Sequence, residues 1–503
     1  MFFSVSALAQ SKNQVDILIK NAYVFNGDGG DSVLTNIGIT KDRIAYIGKK
    51  DIAAKETIDA KGKYVAPGFI DPHTHADRHL TVKGKNELLS WVYQGVTTVF
   101  TGSDGFGPYN IAKKFSEFEK NGMGTNVAQF VGFGPIRTKI VGQDDVKASV
   151  EQITEMKKLV AKGMQEGAIG FSTGLIYLPQ MFSQSDEIIE LSKEAAKYGA
   201  IYDSHMRNEN NQLVKSVKEV LQINKEGGLP VHMSHLKVTG EPNWGKSAEI
   251  INMVNEARAK GINITANQYP FIASMTSLKA TLIPAWAQAG GSKKMIARFN
   301  NPDDLAKIKE ELAKRSDERN KLIWVMSRNE KFKDMYAKSL YQISVEKKIS
   351  VPDLVIECIK ADTGISIMNF SMTENDIVAF MKQPWVMTGS DGGGSHPRTY
   401  STFTRILEEY VMKRNAISMS WAIRRGTGLT ADVFKLKDRG YIKLGYYADV
   451  IVFDSKRVKA NSTYNDPEQL SEGMDYVFVN GTKAIDKGVK TGALAGKIIR
   501  REQ

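Results

Sequence analysis

Ala66-Pro67-Gly68-Phe69-Ile70-Asp71-Pro72-His73-Thr74-His75 is the stretch from which the rest of the chain can be read. Tyr64 to Ile70 is a short apolar run punctuated by Pro67-Gly68, and a polar His-Thr-His soon follows it. Side chains in a strand alternate faces, so His73 and His75 point the same way. Two imidazoles on one side of a strand end can both reach one metal ion at ~2.0–2.1 Å. Taken alone, a His-x-His pair is as readily two ordinary surface histidines. The other histidines and aspartates of the chain decide between these readings.

Downstream, the sequence alternates strand and helix. Strand-like runs lie near 69–71, 96–101, 127–132, 169–172, 201–204, 230–234, 262–269 and 385–388. Helical patterns lie between most of them, at 87–93, 111–120, 150–164, 186–198, 213–225 and 248–260. Eight strands with intervening helices predict an α/β fold, a metal-dependent (β/α)8 TIM-like barrel over 67–439. The gap between the seventh and eighth strands, about 274–383, is far longer than a crossover needs. It carries Pro284-Ala-Trp286, a charged helical pattern at 302–316 and another near 351–360. It reads as a helical insertion beside the active-site mouth.

Both ends of the chain have a different texture. Residues 14–66 and 440–503 are short apolar runs separated by Gly, Asn and Asp turns, which predicts one small β-sandwich domain made from both ends. Residues 1–13 resemble the remnant of a signal peptide, with Ala7-x-Ala9 as a small-residue cleavage site. That implies a periplasmic or secreted protein; the positively charged start of such a signal is missing, which leaves the cytoplasm as the alternative.

Composition narrows the function classes. A chain of 503 residues exceeds one ordinary core, and 42% hydrophobic with 25% charged residues is a soluble globular balance. Its single cysteine, Cys358, rules out an intrachain disulfide and a zinc site of several cysteines. Helical spacing around Cys358 makes it a core residue. The net charge of +12 comes from lysines spread along helices, with no basic block interleaved with aromatics. That pattern is a solvated basic surface suited to a small anionic substrate, not a nucleic-acid partner. No apolar run approaches the ~20 residues of a membrane span, and the sequence is silent on oligomeric state.

In such a barrel, catalytic residues sit at the C-terminal ends of strands. Those ends carry His73 and His75 on the first strand, Asp104 after the second, His205 on the fifth, His235 on the sixth and Asp391 on the eighth. Four of the seven histidines fall there, a placement that favours the metal reading. His232 lies an odd number of residues from His235, faces the other way and reads as structural. His79 and His396 read as loop residues near the mouth.

Read together, these segments resemble the N-acyl-D-amino-acid deacylases (D-aminoacylases) of the amidohydrolase superfamily. The resemblance runs from Pro67-Gly-Phe-Ile-Asp-Pro-His-Thr-His75 and Gln94-Gly-Val-Thr-Thr98 through Gly167-Ala-Ile-Gly-Phe-Ser-Thr-Gly174, Ser204-His-Met-Arg207 and Ser234-His-Leu-Lys237. It continues through Gln268-Tyr-Pro270, Gly389-Ser-Asp-Gly392 and His396-Pro-Arg398 to Thr491-Gly-Ala and Gly496. It implies hydrolysis of the amide bond of N-acyl amino acids, of the D series, with Zn²⁺ as cofactor, one or two ions. His73 and His75 would hold one ion and His205 and His235 the other. Asp391 would be the general acid/base, and Lys237, Tyr269 and Arg398 would hold the substrate's free carboxylate. The family usually has a metal-bridging cysteine in a Gly-x-Cys-Gly turn after the second strand; here the turn is Gly102-Ser-Asp-Gly105, and Asp104 takes that place. A carboxylate can bridge two ions but is a harder ligand, so the number of metals is open.

Two alternatives stand beside this reading. A cyclic-amide hydrolase of the dihydroorotase or hydantoinase type would be expected to bridge its metals with a carboxylated lysine on the fourth strand. That strand ends Phe171-Ser-Thr-Gly174, with no lysine. A non-catalytic barrel binding acyl amino acids would need a degraded ligand set, whereas His73, His75, His205, His235 and Asp391 are all present.

Overall fold

The computed structural model describes residues 14–501, so the signal-like residues 1–13 lie outside the described residues. The chain begins with β1 (Gln14–Val24), β2 (Val33–Thr40), β3 (Arg43–Gly48), β4 (Ala53–Asp59) and β5 (Tyr64–Pro67). The barrel strands follow as β6 (Phe69–Asp71), β7 (Val96–Thr101), β8 (Asn126–Gly132), β9 (Gly170–Gly174), β10 (Ile201–His205), β11 (Val231–Met233) and β12 (Ile264–Gln268). An insertion contributes β13 (Ala273–Ser277), β14 (Ile323–Val325) and β15 (Ser366–Phe370) before β16 (Val386–Thr388) completes the barrel. The chain closes with β17 (Val450–Phe453), β18 (Met474–Val479), β19 (Thr482–Asp486) and β20 (Val489–Lys490).

Strands β6 to β12 and β16 form an eight-stranded parallel sheet. Its two edges meet beyond the strand ends, where Thr74 and Gly392 form a parallel bridge and Asp391 N donates to His73 O at 2.9 Å. Every residue of β7, β8, β9 and β10 is buried, as parallel strands covered on both faces must be. Helices cover the outside; Val150–Gln165, for example, starts at a reciprocal cap between Ser149 and Gln152. The short helix Gly428–Phe434 packs Leu429, Ala431 and Phe434 against Phe100, Phe130 and Met387 of the barrel strands. Phe434 packs edge-on against Phe100 at 4.8 Å and His232 at 5.3 Å.

The nine-stranded sheet runs β20-β19-β18-β17-β5-β1-β2-β3, with β4 beside β1. It takes strands from both ends of the chain, with β5 and β17 antiparallel at the seam. Alternation divides β17 between two cores. Val450 and Val452 pack with Ile19, Ile37 and Ile39 inside the sheet domain. Ile451 and Phe453 pack with Phe69, Val96 and Trp91 against the barrel.

The structure corrects three expectations. The insertion is not purely helical: β13, β15 and β14 form an antiparallel sheet, with Ala273 opposite Phe370. Strands this short, paired across some ninety residues of sequence, leave no local periodicity to read. The helix expected at 87–93 is one turn, Leu89–Val92, because 82–88 is spent on turns ending in Leu88 at φ 52°. Neither remaining histidine is a loop residue: His79 lies in the helical turn Asp77–Leu80, and His396 is buried as the N-cap of Pro397–Arg405. Cys358 is buried in the helix Val351–Ala361. Among the described residues, no helix is long and apolar enough to cross a membrane.

Candidate active site

The site forms where the C-terminal ends of the strands converge. The segment after β6 is held by the carboxylate of Asp71, whose Oδ1 accepts from the His73 and Ser390 backbone amides at 3.3 and 2.9 Å. Its Oδ2 accepts from Trp91 Nε1 at 3.1 Å. Asp71 thus ties the first strand end to the eighth. Burial pushes its pKa up to about 7, against these hydrogen bonds. Tight packing explains the glycines here. A β-carbon on Gly68 would lie 2.2 Å from the Thr97 side chain, and one on Gly393 2.4 Å from Cβ of His75.

Asp104 and Asp391 stand in the same tetrapeptide, Gly-Ser-Asp-Gly, at 102–105 and 389–392. Both adopt the left-handed conformation, with φ 55° and 51°, and His235 does so too at φ 36°. Aspartate and histidine tolerate this region better than most residues, yet any residue with a β-carbon held there costs ~1–3 kcal/mol. The turns bring their side chains together. Asp104 Oδ1 lies 3.3 Å from His73 Nε2, 3.7 Å from His205 Nδ1 and 3.3 Å from His235 Nε2, while its Oδ2 lies 3.4 Å from His75 Nε2. Asp391 Oδ1 is 3.6 Å from His73 Nε2 and 3.2 Å from His75 Nε2.

These atoms fall into two groups that could each hold a metal ion: His73, His75, Asp104 and Asp391, and Asp104, His205 and His235. Asp104 is common to both. The fit to a metal can be tested on the polar atoms themselves. His73 Nε2, His205 Nδ1, His235 Nε2 and Asp104 Oδ1 are buried with no hydrogen-bond partner among the described residues. Such orphaned groups are costly unless something else binds them. Ligands ~2.0–2.1 Å from a tetrahedral ion lie about 3.3 Å apart, close to most of these separations. The residues fit a metal.

Burial and the two carboxylates pull the titration of these groups in opposite directions. Burial drives the pKa of His73 down to about 4, against the pull of Asp104. For His75 burial acts the same way, but Asp104 and Asp391 outweigh it and raise it to about 10. Burial opposes ionisation of Asp391 as well, yet Arg398 and the neighbouring histidines hold it well below the usual carboxylate range.

The three residues expected at the substrate carboxylate are grouped around one ring. Tyr269 has the Arg398 guanidinium 4.9 Å from its ring centroid and Lys237 Nζ 5.7 Å from it. Both cations already have partners. Arg398 pairs with Asp391 at 2.8 Å and donates to Met275 O at 3.2 Å. Lys237 donates to Glu209 Oε1 at 2.7 Å and lies 2.6 Å from His235 Nδ1. His232 stays inside the barrel, its Nδ1 2.8 Å from Thr265 Oγ1 and its Nε2 2.8 Å from Asn267 Nδ2.

Four residues of the site carry no expectation from sequence. Asp71 was within reach, since it lies inside the opening motif. Glu209 follows β10 in a loop with no local signal. Phe106 and Tyr177 line a cavity of about 960 Å³ that opens from His75 and Asp391 outward. Their rings lie 5.0 Å apart, and Phe106 is 6.2 Å from His75, giving the cavity an apolar wall beside the donor cluster.

The Amidohydrolase family profile matches residues 56–113, which include the His-Thr-His segment and Asp104. A D-aminoacylase of Alcaligenes xylosoxydans xylosoxydans is 30% identical over 98% of this chain and 99% of its own. The structure of a D-aminoacylase with a binuclear metal centre superposes with a TM-score of 0.83 at 27% identity, over 97% of this chain and all of that one. An N-acyl-D-glutamate deacylase of Bordetella bronchiseptica, complexed with zinc and a phosphonate mimic of the tetrahedral intermediate, gives a TM-score of 0.84 at 26% identity over 97% of this chain and 100% of its own. The fold and donor cluster are those of a metal-dependent amidohydrolase. Within that class, the chain belongs to the D-aminoacylase family.

Proposed function

We propose that the protein hydrolyses N-acyl-D-amino acids to a free D-amino acid and a carboxylate, with zinc as its metal. The observation that carries this reading is the pair of donor groups sharing Asp104, beside a buried acid and an arginine. Relatives that act on N-acyl-D-amino acids over nearly the whole chain length support the substrate class. In the proposed arrangement His73 and His75 would hold one ion and His205 and His235 another, with Asp104 within reach of both groups.

A divalent ion at such a site lowers the pKa of a coordinated water toward ~7 and polarises a carbonyl. The remaining work falls to the chain. Asp391, at the edge of the cluster, accepts the proton lost by the attacking water and returns it to the leaving amine nitrogen. Arg398, Lys237 and Tyr269 hold the free carboxylate, with the planar fork of Arg398 matching its two oxygens. Phe106 and Tyr177 exclude water from one side of the scissile amide.

The test is hydrolysis of a panel of N-acetyl-D- and N-acetyl-L-amino acids before and after exhaustive chelation, with Zn²⁺ added back. The expected result is D-selective activity lost on chelation and restored by Zn²⁺. Full activity in demonstrably metal-free protein would overturn the reading.

A further inference from the structure

Glu209 follows β10, outside the donor groups, yet its carboxylate reaches both histidines of one of them. Oε1 lies 3.2 Å from Nδ1 of His235, and Oε2 lies 3.6 Å from Nε2 of His205. In each ring the nitrogen facing Glu209 is the one turned away from Asp104. The opposite nitrogens face Asp104, Nε2 of His235 at 3.3 Å and Nδ1 of His205 at 3.7 Å. Both rings therefore stand between two carboxylates, in opposite orientations.

A neutral imidazole has one N–H and one lone pair, and only the lone pair can bind a metal. An acceptor behind the ring draws the proton to the rear nitrogen and frees the front one. Resting on the metal-hydrolase reading above, we propose that Glu209 is the positioning residue for the His205–His235 ion. One carboxylate stands behind both rings, within hydrogen-bond distance of His235 Nδ1 at 3.2 Å and facing His205 Nε2 at 3.6 Å, and so favours the rear N–H tautomer of each. Nε2 of His205 has no hydrogen-bond partner among the described residues, and Glu209 is the carboxylate that faces it. The opposing influence is Lys237, whose ammonium is 2.6 Å from His235 Nδ1. Were it to donate there, the ring proton would move to Nε2 and block the metal face. Glu209 Oε1 accepts from Lys237 at 2.7 Å and so offers the ammonium another acceptor. The same carboxylate thus joins one metal site to a residue of the substrate-carboxylate pocket.

The test is Zn²⁺ affinity by chelator competition on the parent and on Glu209→Gln, whose amide can accept from only one of the two rings. One class of ion should bind about 10–100-fold more weakly, with any second class within a few-fold of the parent and the thermal midpoint nearly unchanged. KM should rise along with the metal effect, because Lys237 loses its anchor. Parent-like affinity for every ion in folded Glu209→Gln overturns the proposal, and so does equal weakening of two classes. If Glu209→Gln does not fold, Glu209→Asp keeps the charge beside Lys237 but withdraws the carboxylate, and the same two outcomes apply. A parent that binds no zinc would instead defeat the metal-hydrolase reading, a distinct result.

Discussion

Arg398 Nη1 lies 2.8 Å from Asp391 Oδ2, and both side chains are buried. In the function proposed above, one arginine would face two carboxylates in turn, that of Asp391 and that of the substrate. A substrate carboxylate that draws the guanidinium away leaves Asp391 without its counter-ion and makes it the stronger base.

This exchange has a kinetic signature. Arg398→Lys loses the planar fork, and hydrogen bonds to charged groups contribute ~1.5–3 kcal/mol. The expected cost is roughly 10–100-fold in kcat/KM for an N-acyl amino acid. For the matching N-acyl amino-acid amide, which lacks the carboxylate, parent and variant should differ only a few-fold. Equal losses on both substrates would remove Arg398 from carboxylate recognition.

Asp391→Asn removes the proton carrier and keeps the shape. Turnover should fall about 10²–10⁴-fold, while metal analysis still finds zinc bound through the four histidines and Asp104. A variant within a few-fold of the parent would reduce Asp391 to a turn residue.

Asp104 can be separated into ligand and backbone roles. Asp104→Ala and Asp104→Gly should both lose metal, since each removes the carboxylate shared by the two groups. Of the two, Asp104→Gly should be the more stable by about 1 kcal/mol, because φ 55° penalises a β-carbon. Asp104→Cys should retain zinc, for which thiolate is a good ligand. Unchanged metal content in Asp104→Ala would exclude it from the site.

The sheet domain docks on the barrel through a buried polar network. Asn480 donates to Asn126 Oδ1 at 2.8 Å and to Ala495 O at 2.7 Å, and accepts from Arg439 at 2.9 Å. Asn480→Ala leaves these groups unpaired and should destabilise by ~1–3 kcal/mol or more, read from chemical denaturation. Metal content should not change, because none of these residues belongs to the donor groups.

Much of this architecture could be read from sequence for a physical reason. The barrel strands are buried on both faces, so they appear as short runs of β-branched and apolar residues such as Val96–Thr101, with no charge in them. Histidines are scarce, so their recurrence at strand ends stands out. What has no local signal in the sequence depends on long-range partners. β13 finds β15 across nearly the whole insertion. Glu209 gains meaning only when His205 and His235, on separate strands, converge on it. The matching Gly-Ser-Asp-Gly turns could be seen as text, but their shared left-handed aspartate is a fact of backbone geometry.

The antiparallel seam of β5 and β17 also sets a timetable for synthesis. β1 to β5 leave the ribosome early, with β5 lacking its neighbour until β17 is made beyond the whole barrel. At ~5–20 residues per second that interval is tens of seconds. Throughout it, the apolar face of β5 and the edge meant for β17 stay open to other chains. A nascent chain stalled within the barrel would therefore be a sticky one, and holding chaperones should be needed most while residues 68–449 are being translated.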